Sequence, residues 1–243
     1  MITKMPDILN SIKTDIETEK NQKQAELLQR FFKTGKGQYG EGDIFLGLKV
    51  PQTRQIAKKY WKEISLKEVQ ELLGSRFHEY RLLGLIILNE KYRHAKKDWL
   101  LKRQIFEFYL KNTKHINNWD LVDLSAPNII GDFSIREGTG TIRFLSRSEN
   151  LWEKRIAILA TFPFIKKREF GEPLFIADSL LHDKHDLIHK AVGWMLREIG
   201  KKNQNVLELF LSTRYKTMPR TMLRYSIEKF PEEKRKKYLK GEI

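Results

Sequence analysis

Apolar residues return at three- and four-residue spacing in one segment of this chain after another, and no stretch alternates as a half-buried strand does. The runs at 69–73, 82–88, 100–110, 151–162, 174–181, 187–199, 206–211 and 222–230 each fit a helix. An opening helical stretch spans 6–33, with Ile8, Ile12 and Ile16 and then Leu27, Leu28, Phe31 and Phe32 on its apolar positions. Helix starts are marked chemically. Pro51 suits a first turn, Ser65-Leu66-Lys67-Glu68 is a capping box, and Asn150-Leu151-Trp152-Glu153 is a near relative of one. The fold class is therefore all-α, about a dozen helices joined by short turns.

Four of these segments resemble one another. Arg81, Lys154, Lys190 and Arg220 each precede or open an apolar run, at intervals of 73, 36 and 30 residues, and the long interval has room for one more copy near Trp119. Helix pairs repeating at roughly 36 residues stack into an α-solenoid with a long concave face. In that architecture the second helix of each repeat lines the concave side. Its leading residues are Arg81, Trp119, Arg155, Lys190 with Trp194 and Arg197, and Arg220 with Arg224. No Pro/Gly/Ser-rich linker divides the chain, so a single solenoid domain over 1–243 is expected, with residues 1–6 and 236–243 frayed.

The 46 Lys+Arg against 31 Asp+Glu leave a net charge of +15, which calls for a polyanionic partner: nucleic acid first, an anionic membrane surface second. No apolar run approaches the roughly 18 residues of a membrane span, and Met1-Ile2-Thr3-Lys4 does not open a signal peptide, so a cytoplasmic protein is expected. The absence of Cys excludes disulfides, iron–sulfur clusters, thiol catalysis and Cys-based zinc sites.

Two stretches carry the candidate chemistry. Asn117-Asn118-Trp119-Asp120-Leu121-Val122-Asp123 sets an indole and a carboxylate four residues apart, on one face of a helix. Such a pair can hold a flat or cationic group against the ring while the carboxylate meets positive charge. A core Trp119 beside a solvated Asp123 is the plainer reading of those seven residues alone. Over 187–202, Lys190, Trp194, Arg197 and Lys201 share a face, a basic stripe broken by an indole that suits phosphates together with a base or sugar.

Two other motifs lose against plainer readings. Gly35-Lys36-Gly37-Gln38-Tyr39-Gly40 spells G-x-G-x-x-G, but a helix rather than a strand precedes it, so 34–43 reads as a surface connection. His185 and His189 have the spacing of a helical metal pair, yet no third ligand is specified, and a solvated helix start is the better reading.

Trp119-Asp120-Leu121-Val122-Asp123, Leu151-Trp152-Glu153-Lys154-Arg155-Ile156-Ala157-Ile158-Leu159 and Lys190-Ala191-Val192-Gly193-Trp194-Met195-Leu196-Arg197-Glu198 resemble signature segments of the AlkD-type alkylpurine DNA glycosylases, and Phe45-Leu46-Gly47-Leu48 with Pro51 and Arg54 is similar to that family's early motif. The resemblance runs from about residue 25 to 230. It implies a solenoid of HEAT-like helix pairs that cups duplex DNA and excises N3- or N7-alkylated purines without a cofactor, with the lesion stacked rather than flipped. It also implies Asp123 as the catalytic carboxylate, Trp119 and Trp194 as paired indoles at the lesion's sugar, and Arg155 and Arg197 near the lesion and its phosphates. Lys190, Lys154, Arg224 and Lys49 complete the expected DNA-binding set, and a monomer is expected. Phe31 and Lys49 depart from the best-known member, where a tyrosine and a glutamine stand. A non-catalytic solenoid that binds bent or branched DNA, and a peptide-binding scaffold, are the alternatives.

The chemistry fits these residue types. An N-alkylated purine is already cationic and departs without a strong acid, so the sugar's oxocarbenium-like transition state is what needs stabilising. A carboxylate about 4 Å away, at an effective dielectric near 20, contributes on the order of 4 kcal/mol, roughly a thousandfold in rate.

Overall fold

The computed structural model describes residues 8–243, and the expected fraying of 1–6 lies outside them. The protein is all-α. Among the described residues there is no β-strand, only an isolated bridge between Ile44 and Phe77. No helix there is long and apolar enough to cross a membrane. The chain forms two compact units, one ending at Ser125 and one running from Ala126 to Ile243.

The first unit holds α1 (Ile8–Glu19), α2 (Gln22–Phe31), α3 (Val50–Tyr60), α4 (Leu66–Leu73), α5 (His78–His94), α6 (Trp99–Lys111) and all but the last residue of α7 (Trp119–Ala126). Its centre is α5, against which α3, α4 and α6 pack. Leu82, Leu83, Leu85, Ile86, Ile87 and Leu88 of α5 are all buried, so the middle of this helix is apolar around its whole circumference, as a stretch covered on every side must be. Each such side chain contributes roughly 1.5–3 kcal/mol on burial. The opening stretch is not one helix. Asn21 breaks it by capping α2, its Oδ1 accepting from Gln24 N at 2.9 Å, and its own N–H turns away to Leu46 O at 3.0 Å.

The second unit holds α8 (Asp132–Glu137), α9 (Gly140–Ser146), α10 (Leu151–Leu159), α11 (Phe162–Lys166), α12 (Gly171–Ser179), α13 (Asp186–Lys202), α14 (Gln204–Ser212), α15 (Arg220–Ser226) and α16 (Glu232–Lys240). Here α13 is central and packs on α10, α11, α12, α14 and α15. Gly193 lets α15 come close, since a Cβ there would lie 2.5 Å from Tyr225 Cβ and 2.6 Å from the Met222 carbonyl oxygen. The apolar run 151–162 is divided. α10 stops at Leu159 and Pro163 starts a new turn, having no N–H to continue the old one. Residues 236–240, expected to fray, are the end of α16, which Gly241 terminates at φ 79°.

Candidate functional site

The polar centre of the first unit is His78, the first residue of α5, whose side chain is 2% exposed. Its Nδ1 lies 3.1 Å from Asp43 Oδ2 and its Nε2 lies 2.8 Å from Asp120 Oδ2. Asp43 also accepts from Asn118 Nδ2 at 3.0 Å and forms a buried ion pair with Arg81, whose second nitrogen donates to the Ser75 carbonyl at 2.9 Å. Burial opposes charge on His78, but the Asp120 and Asp43 carboxylates outweigh it and push its pKa up to about 9. Burial likewise opposes ionisation of Asp43. The His78 hydrogen bond, the Arg81 charge and the Asn118 amide overcome it and hold Asp43 below the usual carboxylate range. At neutral pH the cluster is an imidazolium bridging two carboxylates, with Arg81 as the second cation.

Sequence reading placed 34–43 on the surface, but the end of this loop is built into the site. Glu79, 1% exposed, accepts the backbone N–H groups of Leu46 and Gly47 at 2.8–3.0 Å. Gly47 sits at φ 92°, and a Cβ there would come 2.0 Å from the Asn21 carbonyl oxygen, so only glycine fits. Thus Asp43, Phe45 and Gly47 are pinned to the first turn of α5.

Trp119 opens α7 over this platform. Phe45 stacks on His78 at 4.5 Å, Phe32 stacks on Phe45 at 5.0 Å, and Trp119 stacks on Phe32 at 5.2 Å. Phe31 meets the indole edge-on at 6.0 Å, and the indole Nε1 donates to Tyr39 Oη at 3.2 Å. Trp119 is half-buried, so it is both a packed residue and an accessible wall. Asp123 is one helical turn further along α7, on the same face and also half-buried. Behind it α7 is held by Tyr109, whose hydroxyl lies 2.9 Å from Ser125 Oγ, and by Asn89 Nδ2, which donates to the Leu124 carbonyl at 3.1 Å. Burial, with the Asp123 charge as a further cause, pushes the Tyr109 phenol up, so it stays a neutral hydrogen-bonding group.

In the second unit the expected cations divide into exposed and internal ones. Lys190 pairs with Asp186 at 2.6 Å, both partly exposed, and Arg224 is exposed. Arg197 pairs with Glu228, while its neighbour Glu198 accepts from the Trp194 indole Nε1 at 3.2 Å and from Lys201 Nζ at 2.7 Å. Lys154 lies 2.6 Å from Asp183. Arg155 and Arg81, both expected to lead a groove-lining helix, are instead 5% and 3% exposed. Arg155 Nη1 donates to the Leu187 carbonyl at 2.7 Å, tying α10 to the start of α13, since a backbone carbonyl has a second lone pair with which a buried guanidinium can be satisfied. In the first unit Lys49 is exposed at the start of α3, where its backbone N–H donates to Gln52 Oε1 at 2.7 Å.

Asp43, His78, Glu79 and Asn118 escaped the sequence reading. Their only signal was polarity at positions flanking buried runs, and their distant partners lie 32 to 75 residues away in the chain.

The model of the family described as DNA alkylation repair enzyme matches residues 12–230. No curated protein matches the chain. Among solved structures, a predicted DNA alkylation repair enzyme from Enterococcus faecalis is 15% identical, covers 88% of this chain and 98% of its own, and superposes with a TM-score of 0.68. AlkD2 from Streptococcus mutans is 17% identical over 91% of this chain and 99% of its own, with a TM-score of 0.54. The smu.31 protein of Streptococcus mutans UA159 is 18% identical over 75% and 93%, with a TM-score of 0.53. These likenesses establish a shared all-α fold.

Proposed function

Because the chain belongs to the family of DNA alkylation repair enzymes, we propose that it is a monofunctional DNA glycosylase that hydrolyses the N-glycosidic bond of N3- or N7-alkylated purines in duplex DNA. The observation that carries this reading is the Trp119–Asp123 pair, an indole wall and a carboxylate one turn apart on a helix fixed from behind by Tyr109 and Asn89. The C1′–N bond breaks with its electron pair passing to the purine, which leaves neutral because the alkyl group had made it cationic. Positive charge develops on the deoxyribose. Asp123 stabilises that charge and orients the water that adds to C1′ and gives up its proton to solvent, and the indole face adds cation–π attraction of about 1–2 kcal/mol. The product is an abasic site. In the second unit Trp194 is the other indole of the expected set, and Arg197, Lys190 and Arg224 there, like Lys49 in the first unit, meet backbone phosphates; Lys154 and Arg155 are engaged by Asp183 and the Leu187 carbonyl. The enzyme acts in the cytoplasm as a monomer and takes no cofactor.

The test is Asp123→Asn. Asn keeps the shape and removes the charge, so single-turnover release of N7-methylguanine or N3-methyladenine from methylated duplex should fall roughly a hundred- to thousandfold. Affinity for undamaged duplex should hold or improve, since a carboxylate near a polyanion opposes association. An unchanged release rate removes Asp123 from the mechanism. Absence of release by the wild type favours a DNA-binding protein without this activity.

A further inference from the structure

We propose that His78 and Asp43 are positioning residues, acting through Asn118 and Asp120 to hold Trp119 and Asp123 in working geometry; this inference rests on the glycosylase reading. Trp119 is bracketed by two polar neighbours that both turn inward. Asn118 Nδ2 donates to Asp43 Oδ2 at 3.0 Å while its Oδ1 accepts the Trp119 N–H at 2.8 Å. Asp120 Oδ2 accepts from His78 Nε2 at 2.8 Å while its Oδ1 accepts the Leu121 N–H at 2.9 Å. The first turn of α7 is thus tied, residue by residue, to one imidazole and one carboxylate.

A second route joins the same groups. His78 stacks under Phe45, lies 5.3 Å from Phe32, and Phe32 carries the Trp119 indole. Displacing the imidazole therefore disturbs both the backbone and the ring of Trp119. Burying four charges is costly, and apolar residues of similar size would hold a helix end as well or better. What the charged cluster adds is direction: an imidazolium has two N–H donors at a fixed angle, and only one placement of Asp43 and Asp120 satisfies both. The cluster also compensates the charge of Asp120, three residues before Asp123, within Asp43, Asp120, His78 and Arg81.

The charged and titratable groups facing His78 are Asp43 on the loop and Asp120 on α7, with Arg81 behind Asp43; Tyr39 faces the Trp119 indole. Loss of the imidazolium proton removes one of the two donors and leaves a ring-nitrogen lone pair facing a carboxylate oxygen, so base release by the wild type should decline as pH rises through about 9. Asp43→Asn removes one of the carboxylates that hold the proton and should move this alkaline limb to lower pH. A purely structural role would lower activity without moving the limb.

The experiment uses His78→Gln, Asp43→Asn and the wild type, with Trp119 emission taken as the difference between each protein and its Trp119→Phe counterpart, in a Tyr39→Phe background so that no phenol titrates beside the indole. His78→Gln should lower single-turnover release about tenfold or more, leave duplex affinity within about twofold, and abolish the alkaline change in Trp119 emission. Should His78→Gln fail to fold, the near-isosteric Asp43→Asn carries the test through its shifted limb. Unchanged release and unchanged Trp119 emission in His78→Gln, or an unshifted limb in Asp43→Asn, would overturn the proposal. If the wild type releases no alkylated base, the glycosylase reading falls, and the emission titration alone still decides whether His78 positions Trp119.

Discussion

Trp119 lies on Phe32 with ring centroids 5.2 Å apart and planes at 22°, at the top of a pile of rings that continues through Phe45 to His78. One indole face is taken by protein, which rigidifies the ring and leaves the opposite face as the one a ligand can use. A wall of this kind depends on residues with no contact to the ligand.

Phe32 is the member of the pile with the largest share of that support, being 6% exposed and in ring contact with Phe31, Phe45, His78 and Trp119. Phe32→Ala should cost about 3–5 kcal/mol, as deletion of a buried ring does. Phe31, adjacent in sequence but 64% exposed, should change stability by no more than about 0.5 kcal/mol when truncated. Denaturant melts of the two variants check the contrast, and equal losses would contradict the pile as drawn.

Stability should depend on pH through His78. Its folded pKa of about 9 exceeds its ordinary 6.5, so the protonated form stabilises the fold fully below about 6.5, and that contribution is lost as pH rises through 9. A shift of this size corresponds to on the order of 3 kcal/mol. Asp43 has the opposite sign: its depressed pKa gives stability present above its ordinary value of 3.8 and lost as pH falls through the folded one. Unfolding free energies measured from pH 6 to 10 should decline for the wild type and stay flatter for His78→Gln, and parallel curves would remove His78 as the source.

Helix class and most helix positions could be read from the chain because they depend on local periodicity: α5 and α13 declare themselves through runs such as 82–88 and 187–199. The Trp119–Asp123 pair was legible for the same reason, both residues lying within one turn of one helix. Asp43, His78 and Asn118 were not, because nothing local marks a buried polar residue whose partner is tens of positions distant. The sites of Arg81 and Arg155 were misjudged on the same ground. A basic residue at a helix start reads as solvent-facing until a buried carboxylate, as for Arg81, or a backbone carbonyl of a neighbouring helix, as for Arg155, is placed beside it.

The glycines of the early loop offer a test of backbone fit. Gly47→Ala meets both a positive φ and the Asn21 carbonyl, so it should destabilise well beyond the roughly 1 kcal/mol of conformational strain alone. Gly138, at φ 96° with nothing near its missing Cβ, should show only that strain when changed to Ala. Thermal melts that rank the two in the reverse order would show that the Gly47 loop can move away from α2.

The arginines of the second unit should separate into two behaviours. Arg155→Ala removes a buried guanidinium bonded to the Leu187 carbonyl and should cost about 1–3 kcal/mol of stability, whatever it does to DNA affinity. Arg197 is held by Glu228, whose side chain is 46% exposed and whose carboxyl is kept below the usual range by the Lys229 hydrogen bond first and by Arg197 as well. Arg197→Ala, at a side chain only 19% exposed, should cost about 1 kcal/mol, chiefly in lost packing of its stem, and flatten the dependence of duplex affinity on salt by about 0.9 in logarithmic slope, one phosphate contact. Glu228→Gln should act in the other direction. It removes a negative charge facing the polyanion and releases Arg197 from its internal partner, so affinity should rise and the salt slope steepen. In the double variant Arg197→Ala with Glu228→Gln the gain from Glu228→Gln should shrink, because the cation it would free is absent. Duplex titrations at several salt concentrations measure all four proteins, and strict additivity between the two substitutions would show that Glu228 acts on DNA only through its own charge.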